Sequence, residues 1–221
     1  MLGEQPQPHA YLGPKFNNAV IKECIDSHTC ELPAEKFFVS QLNFDQICER
    51  VTGALIKGHV VGWFQGGMEW GPRALGNRSI LGAPRRSDMK DILNLKIKRR
   101  ESFRPFAPSI LREHVQEWFE DDDDVPFMMK VFPIKADKRD LIPAVTHVDG
   151  SGRLQTVHRN TNARYHQLIS TFYSETGVPI LLNTSFNENE PVVCTPKEAL
   201  NCFLRTNMDV LVMNDFIIER I

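Results

Sequence analysis

The chain has 221 residues, with 42% hydrophobic residues, 24% charged residues and a formal net charge of −2. This balance gives no global attraction to nucleic acid, and no apolar run is long enough to span a bilayer. Five cysteines without a Cys-x-x-Cys pair indicate reduced thiols. We therefore expect a cytoplasmic protein with one large domain or one and a half.

The first part of the chain predicts an arm followed by α/β alternation. Residues 1–42 begin with a Pro/Gly-rich stretch, and we expect them to be a linker or arm after a missing domain. Asn43 is a typical cap for a helix to Lys57, with Gly58 as its stop. The next predictions are a strand, "HVVGWFQ", a Gly/Arg-rich segment, and a helix, "DMKDILNLKI", capped by Ser87.

Strands dominate the second part of the predicted domain, residues 43–221. In chain order they are "FAPSIL", "PFMMKVFPI", "LIPAVTHV", "RLQTV" and "VPILLNTSFN". A short helix, "REHVQEWFE", and a strong helix ending at Gly177 lie between them. Thr195 and Glu198 form a capping-box start for a last helix. The segment "DVLVMNDFIIERI" predicts two closing strands around an Asn-Asp turn.

Arginines beside glycine or proline are the first candidates for a site. Arg73 and Arg78 lie in "GGMEWGPRALGNRS", which has neither the Lys-Ser/Thr of a P-loop nor a dinucleotide-fold spacing. Arg104 lies between an aromatic residue and "PFAP", where a charge is costly unless it has a partner. Arg153 follows glycines at the start of an apolar strand. Turn arginines that only reach solvent are the alternative interpretation, and the adjacent run "KIKRR" also suits a solvated helix face.

Polar residues at the end of "VPILLNTSFN" occupy a place where α/β sheets commonly bind ligands. They are Asn183, Thr184, Ser185 and Asn187. Together with guanidinium groups they favour a polyphosphate site over a carboxylate site. No metal site is predicted, because Cys24, His28 and Cys30 are too few for zinc. The run Asp121 to Asp124 favours a solvated loop over a magnesium site.

Four segments together resemble the C-terminal domain of the bacterial O-carbamoyltransferases, a family that carbamoylates nodulation signals, sugars and cephems. The segments are "GWFQGGMEWGPRALGNRSILGAPR", "KIKRRESFRPFAPSIL", "HVDGSGRLQTV" and "GVPILLNTSFNENEPVV". They occur in family order and cover the chain from about Val60 to its end. The resemblance implies a YrdC-like α/β (α+β) fold, a twisted mixed sheet with flanking helices and a concave basic face.

The resemblance also implies a two-part enzyme. The part seen here would form carbamoyladenylate from carbamoyl phosphate and ATP with Mg²⁺. An N-terminal domain similar to the TsaD family would pass the carbamoyl group to a hydroxyl acceptor with the help of a bound iron. His9, His147 and His158 lack a His-x-x-x-His arrangement, so we expect iron only in that other domain. That domain is the expected partner of this chain, and we expect neither a membrane nor a nucleic acid as a partner.

Site residues follow from the same resemblance, position by position. Lys98 and Arg104 match the basic catalytic pair that holds phosphate oxygens and the carbamoyl group. The residues matched to nucleotide and substrate binding are Arg73, Arg78, Arg153, Asn183 and Ser185. Two other functions stay open: a threonylcarbamoyl-adenylate synthase of tRNA modification, and a non-catalytic module that binds nucleotide or RNA. A net charge of −2 and the acidic "EDDDD" argue against the RNA module.

Overall fold

A nine-stranded mixed sheet organises the part of the chain that the computed structural model describes, residues 9–98 and 105–221. Its strands are β1 (Phe37–Gln41), β2 (Val61–Phe64), β3 (Arg78–Gly82), β4 (Ala107–Leu111), β5 (Lys130–Pro133), β6 (Ser151–Val157), β7 (Ile180–Ser185), β8 (Val210–Met213) and β9 (Phe216–Arg220). The helices are α1 (Asn18–Ser27), α2 (Phe44–Ile56), α3 (Met89–Leu93), α4 (Val115–Trp118), α5 (Ala163–Thr176) and α6 (Pro196–Arg205). The predicted α/β class, with a mixed sheet and flanking helices, is confirmed.

The strand order across the sheet is β1-β9-β8-β2-β3-β7-β4-β6-β5. The pairs β2–β8 and β4–β6 are parallel, and the other neighbouring pairs are antiparallel. Strand β7 lies between β3 and β4, and its first four residues are buried. A strand covered on both faces reads as a continuous apolar run, which is why "PILL" predicted it correctly. At its polar end, Asn183 pairs with both β3 and β4, and Thr184 and Ser185 pair with β3.

Three helices follow the predicted capping chemistry, whereas the predicted Ser87 cap is wrong, since α3 begins after Asp88 without a side-chain cap. The Asn43 side chain accepts from the backbone N–H of Gln46 and forms a capping box, and α2 ends before Gly58, which has φ +85°. Thr195 and Glu198 form the second predicted capping box at the start of α6. Helix α5 ends at Gly177 in the left-handed conformation. Among the described residues, no helix is long and apolar enough to cross a membrane.

Two strand predictions and one helix boundary need correction. The strand predicted for residues 141–148 is wrong, because this segment forms a turn. Pro143 lacks a backbone donor, and the Thr146 hydroxyl donates to the Ile142 carbonyl (2.9 Å). Ile142, Ala144 and Val145 instead pack into the core from this irregular segment. Only Lys130–Pro133 of the longer predicted segment forms a strand. Helix α3 starts one residue later than predicted and continues into a π-helical turn, Asn94–Lys98.

The segment before Asn43 contributes regular structure as well as an arm. Strand β1 pairs with β9 at one edge of the sheet, and α1 packs against α6. Residues 10–16 run alongside the glycine-rich segment, where the Gly13 N–H donates to the Met68 carbonyl (2.9 Å) and the Met68 N–H donates to the Pro14 carbonyl (3.0 Å). The boundary predicted at residue 43 stays a prediction.

Candidate anion-binding pocket

The segment between β2 and β3 folds around a buried carboxylate. Oε1 of Glu69 accepts hydrogen bonds from the backbone N–H groups of Leu75 (2.7 Å), Asn77 (2.7 Å) and Arg78 (3.2 Å). Gly76 has φ +102°, and a Cβ at this position would lie 2.1 Å from a ring atom of Tyr165. Glycine is therefore required here, and the Glu69 carboxylate holds a loop whose tip carries Arg73.

Arg78 lies in the interior, at the base of this loop. It is 0% exposed, and its guanidinium donates to the carbonyl oxygens of Gln65 (2.6 Å) and Pro14 (3.0 Å). Its Cζ lies 3.7 Å from the centre of the Phe64 ring. Burial lowers the pKa of Arg78 to about 10, while the Glu69 carboxylate opposes the shift, so the group stays charged at neutral pH. The two terminal nitrogens of Arg78 donate to backbone carbonyls, and its Nε atom is buried without a hydrogen-bond partner among the described residues, so its predicted nucleotide contact stays a prediction.

A small polar pocket of about 110 Å³ brings together four of the predicted site residues. Arg73 comes from the loop, Arg153 from β6, and Asn183 and Ser185 from β7. The described lining residues are Pro72, Arg73, Ala74, Pro105, Phe106, Ala107, Met128, Arg153, Asn183, Thr184 and Ser185. The set contains two guanidinium groups and no carboxylate among the described residues, which is the composition of an anion site.

Arg73 is half-buried at the rim of this pocket. Its Nε atom is buried and has no hydrogen-bond partner among the described residues. A buried donor without an acceptor costs free energy in the unliganded protein, and a bound oxyanion would supply that acceptor. The position of Arg73 therefore favours an anionic ligand over a solvent-exposed turn.

Beneath the pocket lies a buried amide network that the sequence analysis missed. Ser109 of β4 and Gln155 of β6 are direct neighbours in register, and the Ser109 hydroxyl donates to Gln155 Oε1 (2.6 Å). Asn183 Nδ2 donates to the same oxygen (3.0 Å) and to the carbonyl of Ala74 (3.1 Å). A polar residue inside each of the apolar strands "APSIL" and "RLQTV" was the available signal. The network joins three strands directly under the predicted site.

Lys98 lies next to the pocket rather than in its described lining. It is 4% exposed and ends the π-helical turn after α3. Its ammonium donates to the carbonyls of Ser185 (2.7 Å) and Asn187 (2.7 Å) and to Asn187 Oδ1 (2.5 Å). Lys98 thus supports the turn that presents Ser185, and its catalytic role stays a prediction. Arg104, the other predicted catalytic residue, lies outside the described residues.

A more apolar cavity of about 320 Å³ adjoins the polar pocket and shares Pro72 and Arg73 with it. Trp70 contributes an indole that is 77% exposed. Leu12, Phe127 and Met129 also line this cavity. A charged pocket and an apolar cavity therefore meet at Arg73, which suits a ligand with an anionic end and a flat apolar end.

The acidic run is held by ion pairs on the surface. Asp122 pairs with Arg112 (2.6 Å) and Asp123 with Lys130 (2.8 Å). Burial alone would raise the pKa of Asp124, but hydrogen bonds from Thr156 and His158 outweigh it and lower that pKa. Across residues 9–98 and 105–221, no group of three His, Cys, Asp or Glu side chains is arranged to hold a metal ion.

Comparison with known proteins decides the family. The family model described as "Carbamoyltransferase C-terminus" matches residues 52–220. The chain belongs to the carbamoyltransferase C-terminus family. The four segments that carry the predicted resemblance lie entirely within the matched residues, and the predicted family is confirmed.

Named relatives of this carbamoyltransferase domain are longer proteins. Nodulation protein NolNO of Sinorhizobium fredii is 50% identical over 180 residues, covering 80% of this chain and 26% of that protein. The 3'-hydroxymethylcephem-O-carbamoyltransferase of Amycolatopsis lactamdurans is 43% identical over 141 residues, covering 64% of this chain and 26% of that protein. The carbamoyltransferase domain thus spans about a quarter of these two relatives.

A solved structure supports the fold of the domain. Full-length HypF, crystallised in a phosphate- and nucleotide-bound form, matches with a TM-score of 0.51 over 81% of this chain and 22% of that one. The two sequences are 16% identical in the match, so the likeness concerns the arrangement of strands and helices. It agrees with the predicted mixed sheet with flanking helices.

Proposed function

We propose that this chain is the carbamoyl-activating part of an O-carbamoyltransferase. It binds carbamoyl phosphate and ATP and joins them as carbamoyladenylate. Family membership supports carbamoyl transfer, and one relative is named as an O-carbamoyltransferase that acts on a cephem. The single observation that carries the proposal is the convergence of Arg73, Arg153, Asn183 and Ser185 on one pocket without a carboxylate among its described lining residues.

The proposed chemistry needs positive charge rather than a protein nucleophile. Water cleaves carbamoyl phosphate to carbamate and inorganic phosphate, and a carbamate oxygen then attacks the α-phosphorus of ATP. The bond from that phosphorus to the bridging oxygen breaks, so pyrophosphate leaves and carbamoyladenylate remains. Guanidinium groups would gather the two anions and stabilise the negative charge that spreads over the phosphoryl oxygens.

Five of the predicted residues then have a specific task. Arg73 and Arg153 would bind phosphate oxygens, and the Ser185 hydroxyl would donate one further hydrogen bond. Lys98 would hold the Ser185 turn and its charge would add to the positive field of the pocket. Arg104 is proposed to clamp phosphate, so Arg104→Lys should fold normally and lose most ATP–pyrophosphate exchange, because lysine lacks the planar fork of donors.

ATP would use both cavities, with phosphates beside Arg73 and the adenine ring in the apolar cavity near Trp70. A flat ring packs well against an indole, and Arg73 borders both spaces. Magnesium would enter with ATP and be held chiefly by phosphate oxygens, since carboxylates are absent from the described lining of the pocket. An iron-containing N-terminal domain that transfers the carbamoyl group to a hydroxyl is proposed as the partner.

The experiment is ATP–pyrophosphate exchange measured with Mg²⁺ and carbamoyl phosphate. We expect exchange by the wild type and a loss of about 100-fold in Arg153→Met, in line with removal of a preorganised charge. Arg159→Met is the matched control, because Arg159 is an exposed arginine a few residues further along the chain. Equal exchange in Arg153→Met and Arg159→Met would contradict the proposed pocket.

Two further measurements distinguish the alternative functions from the proposed one. Threonine and bicarbonate in place of carbamoyl phosphate should not support pyrophosphate release; release would indicate a threonylcarbamoyl-adenylate synthase. Random duplex RNA should not bind at moderate salt. Salt-sensitive RNA binding together with no exchange would instead indicate a non-catalytic module.

A further inference from the structure

The amide network under the pocket holds the Asn183 side chain in one orientation. Gln155 is 1% exposed, and its Nε2 donates to the Leu75 carbonyl at 2.8 Å. A backbone carbonyl can only accept, so this bond fixes which end of the Gln155 amide is nitrogen. Gln155 Oε1 must then face Ser109 and Asn183, which both donate to it. The direction of the first amide therefore sets the direction of the second.

Asn183 is held in the same direction from its other side. Its Nδ2 donates to the Ala74 carbonyl, which again can only accept. The Gln155 oxygen and the Ala74 carbonyl can both be satisfied only by the Asn183 nitrogen, Nδ2. The Asn183 oxygen, Oδ1, is therefore the end of the amide that faces neither of them. Asn183 is 1% exposed and lines the pocket, yet Oδ1 has no hydrogen-bond partner among the described residues.

An acceptor without a partner is unexpected in a pocket with two arginines. The guanidinium groups suit the oxygens of an anion, whereas the Asn183 oxygen needs an N–H or O–H donor. Leaving a buried acceptor unsatisfied costs free energy, and a ligand with a donor at this position would recover it. The pocket therefore matches a small ligand that carries an amino group beside its anionic group.

We infer that Gln155 is a positioning residue that locks Asn183 with its carbonyl oxygen toward the pocket, where that oxygen accepts an N–H from the amino group of the carbamoyl ligand. The inference rests on the proposed function and adds specificity to it. The network selects carbamoyl phosphate over acetyl phosphate, which has a methyl group in place of the amino group. Gln155 acts through Asn183 and does not touch the ligand.

The test compares two stable phosphonates that differ at this one group. Phosphonoacetamide is carbamoyl phosphate with a methylene in place of the bridging oxygen, and acetonylphosphonate is the matching analogue of acetyl phosphate. By calorimetry, wild-type protein should bind phosphonoacetamide about tenfold more tightly, as expected for one satisfied acceptor. Gln155→Met should lower this ratio, because Asn183 Nδ2 then loses one of its acceptors and only the Ala74 carbonyl and the Ser109 hydroxyl still orient the amide.

Two control variants test the orientation itself. Gln155→Glu keeps an acceptor for Asn183, and its protonated carboxyl can still donate to the Leu75 carbonyl, so the ratio should be preserved even if the affinities for both anions fall together. Thr156→Val changes the next buried polar residue of β6, whose hydroxyl bonds Asp124 and Val125 rather than the network, and should also preserve the ratio. An unchanged ratio in Gln155→Met would overturn the positioning role.

The wild-type ratio tests the inference even if Gln155→Met does not fold. Ser109→Ala is the milder variant, because it removes one acceptor of Asn183 and should lower the ratio in part. Equal binding of the two phosphonates by wild-type protein would overturn this inference and leave the anion site standing. If neither phosphonate binds and inorganic phosphate does not bind either, both the proposed site and this inference are overturned.

Discussion

Arg73 and Arg78 belong to one glycine-rich segment and have opposite surroundings. Arg73 is half-buried at the loop tip, borders two cavities and has an Nε atom without an acceptor among the described residues. Arg78 is the first residue of β3 and is completely buried. It donates to the backbone carbonyls of Pro14 in the N-terminal arm and of Gln65, which directly follows β2. Two arginines in similar local sequence can therefore differ in their surroundings: one holds a loop together, and the other faces a pocket that could bind a ligand.

The largest expected effect concerns stability at Arg78. Arg78→Met leaves the carbonyls of Gln65 and Pro14 without these donors and removes the cation over the Phe64 ring. We expect the free energy of unfolding to fall by about 3–5 kcal/mol, as for breaking other buried charged networks. Denaturant unfolding measures it. Full stability combined with lost phosphate binding would place Arg78 in the ligand site instead.

The next effect concerns binding at Arg73. Arg73→Met should leave the melting temperature within a few degrees of wild type and weaken inorganic phosphate binding by about 2–3 kcal/mol, the scale of a hydrogen bond to a charged group. Calorimetry measures the affinity and a thermal melt measures stability. A variant that melts early and still binds phosphate normally would reverse the contrast between the two arginines.

Glu69 connects the two regions, because its carboxylate accepts backbone N–H groups on both sides of the glycine turn. Glu69→Gln keeps an acceptor but loses the charge, and charged hydrogen bonds are about twice as strong as neutral ones. We expect a loss of about 1–2 kcal/mol in stability and a several-fold loss of phosphate affinity. Unchanged affinity with lowered stability would show that the position of Arg73 does not depend on Glu69.

The smallest stability effect is expected at Trp70. Its side chain is 77% exposed, so Trp70→Ala should change the free energy of unfolding by less than about 0.5 kcal/mol. ATP binding should weaken by about 1 kcal/mol through lost stacking on the indole, whereas inorganic phosphate binding should not change. Trp70→Phe should restore most of the ATP affinity. Equal weakening of both ligands would argue against an adenine site in the apolar cavity.

Short-range signals predicted the helix ends and the closing hairpin. Asn43 and Thr195 cap the helices that they were expected to cap, and the Asn-Asp turn joins β8 to β9 with Asn214 at φ +48°. These features depend on hydrogen bonds between residues at most four apart. The strand prediction for segment 141–148 is wrong for the opposite reason: Ile142, Ala144 and Val145 are buried by distant parts of the core, without a strand partner.

The sequence by itself determined the α/β class and the family, because residue types and ordered motifs carry that information, and it predicted the residues of the candidate site. Only the tertiary structure decided which arginine faces the pocket and which is buried beneath the loop. It alone placed Gln155 opposite Ser109 and under Asn183, three residues from three different strands. Strand register and burial arise from contacts between distant parts of the chain, so local spacing cannot specify them.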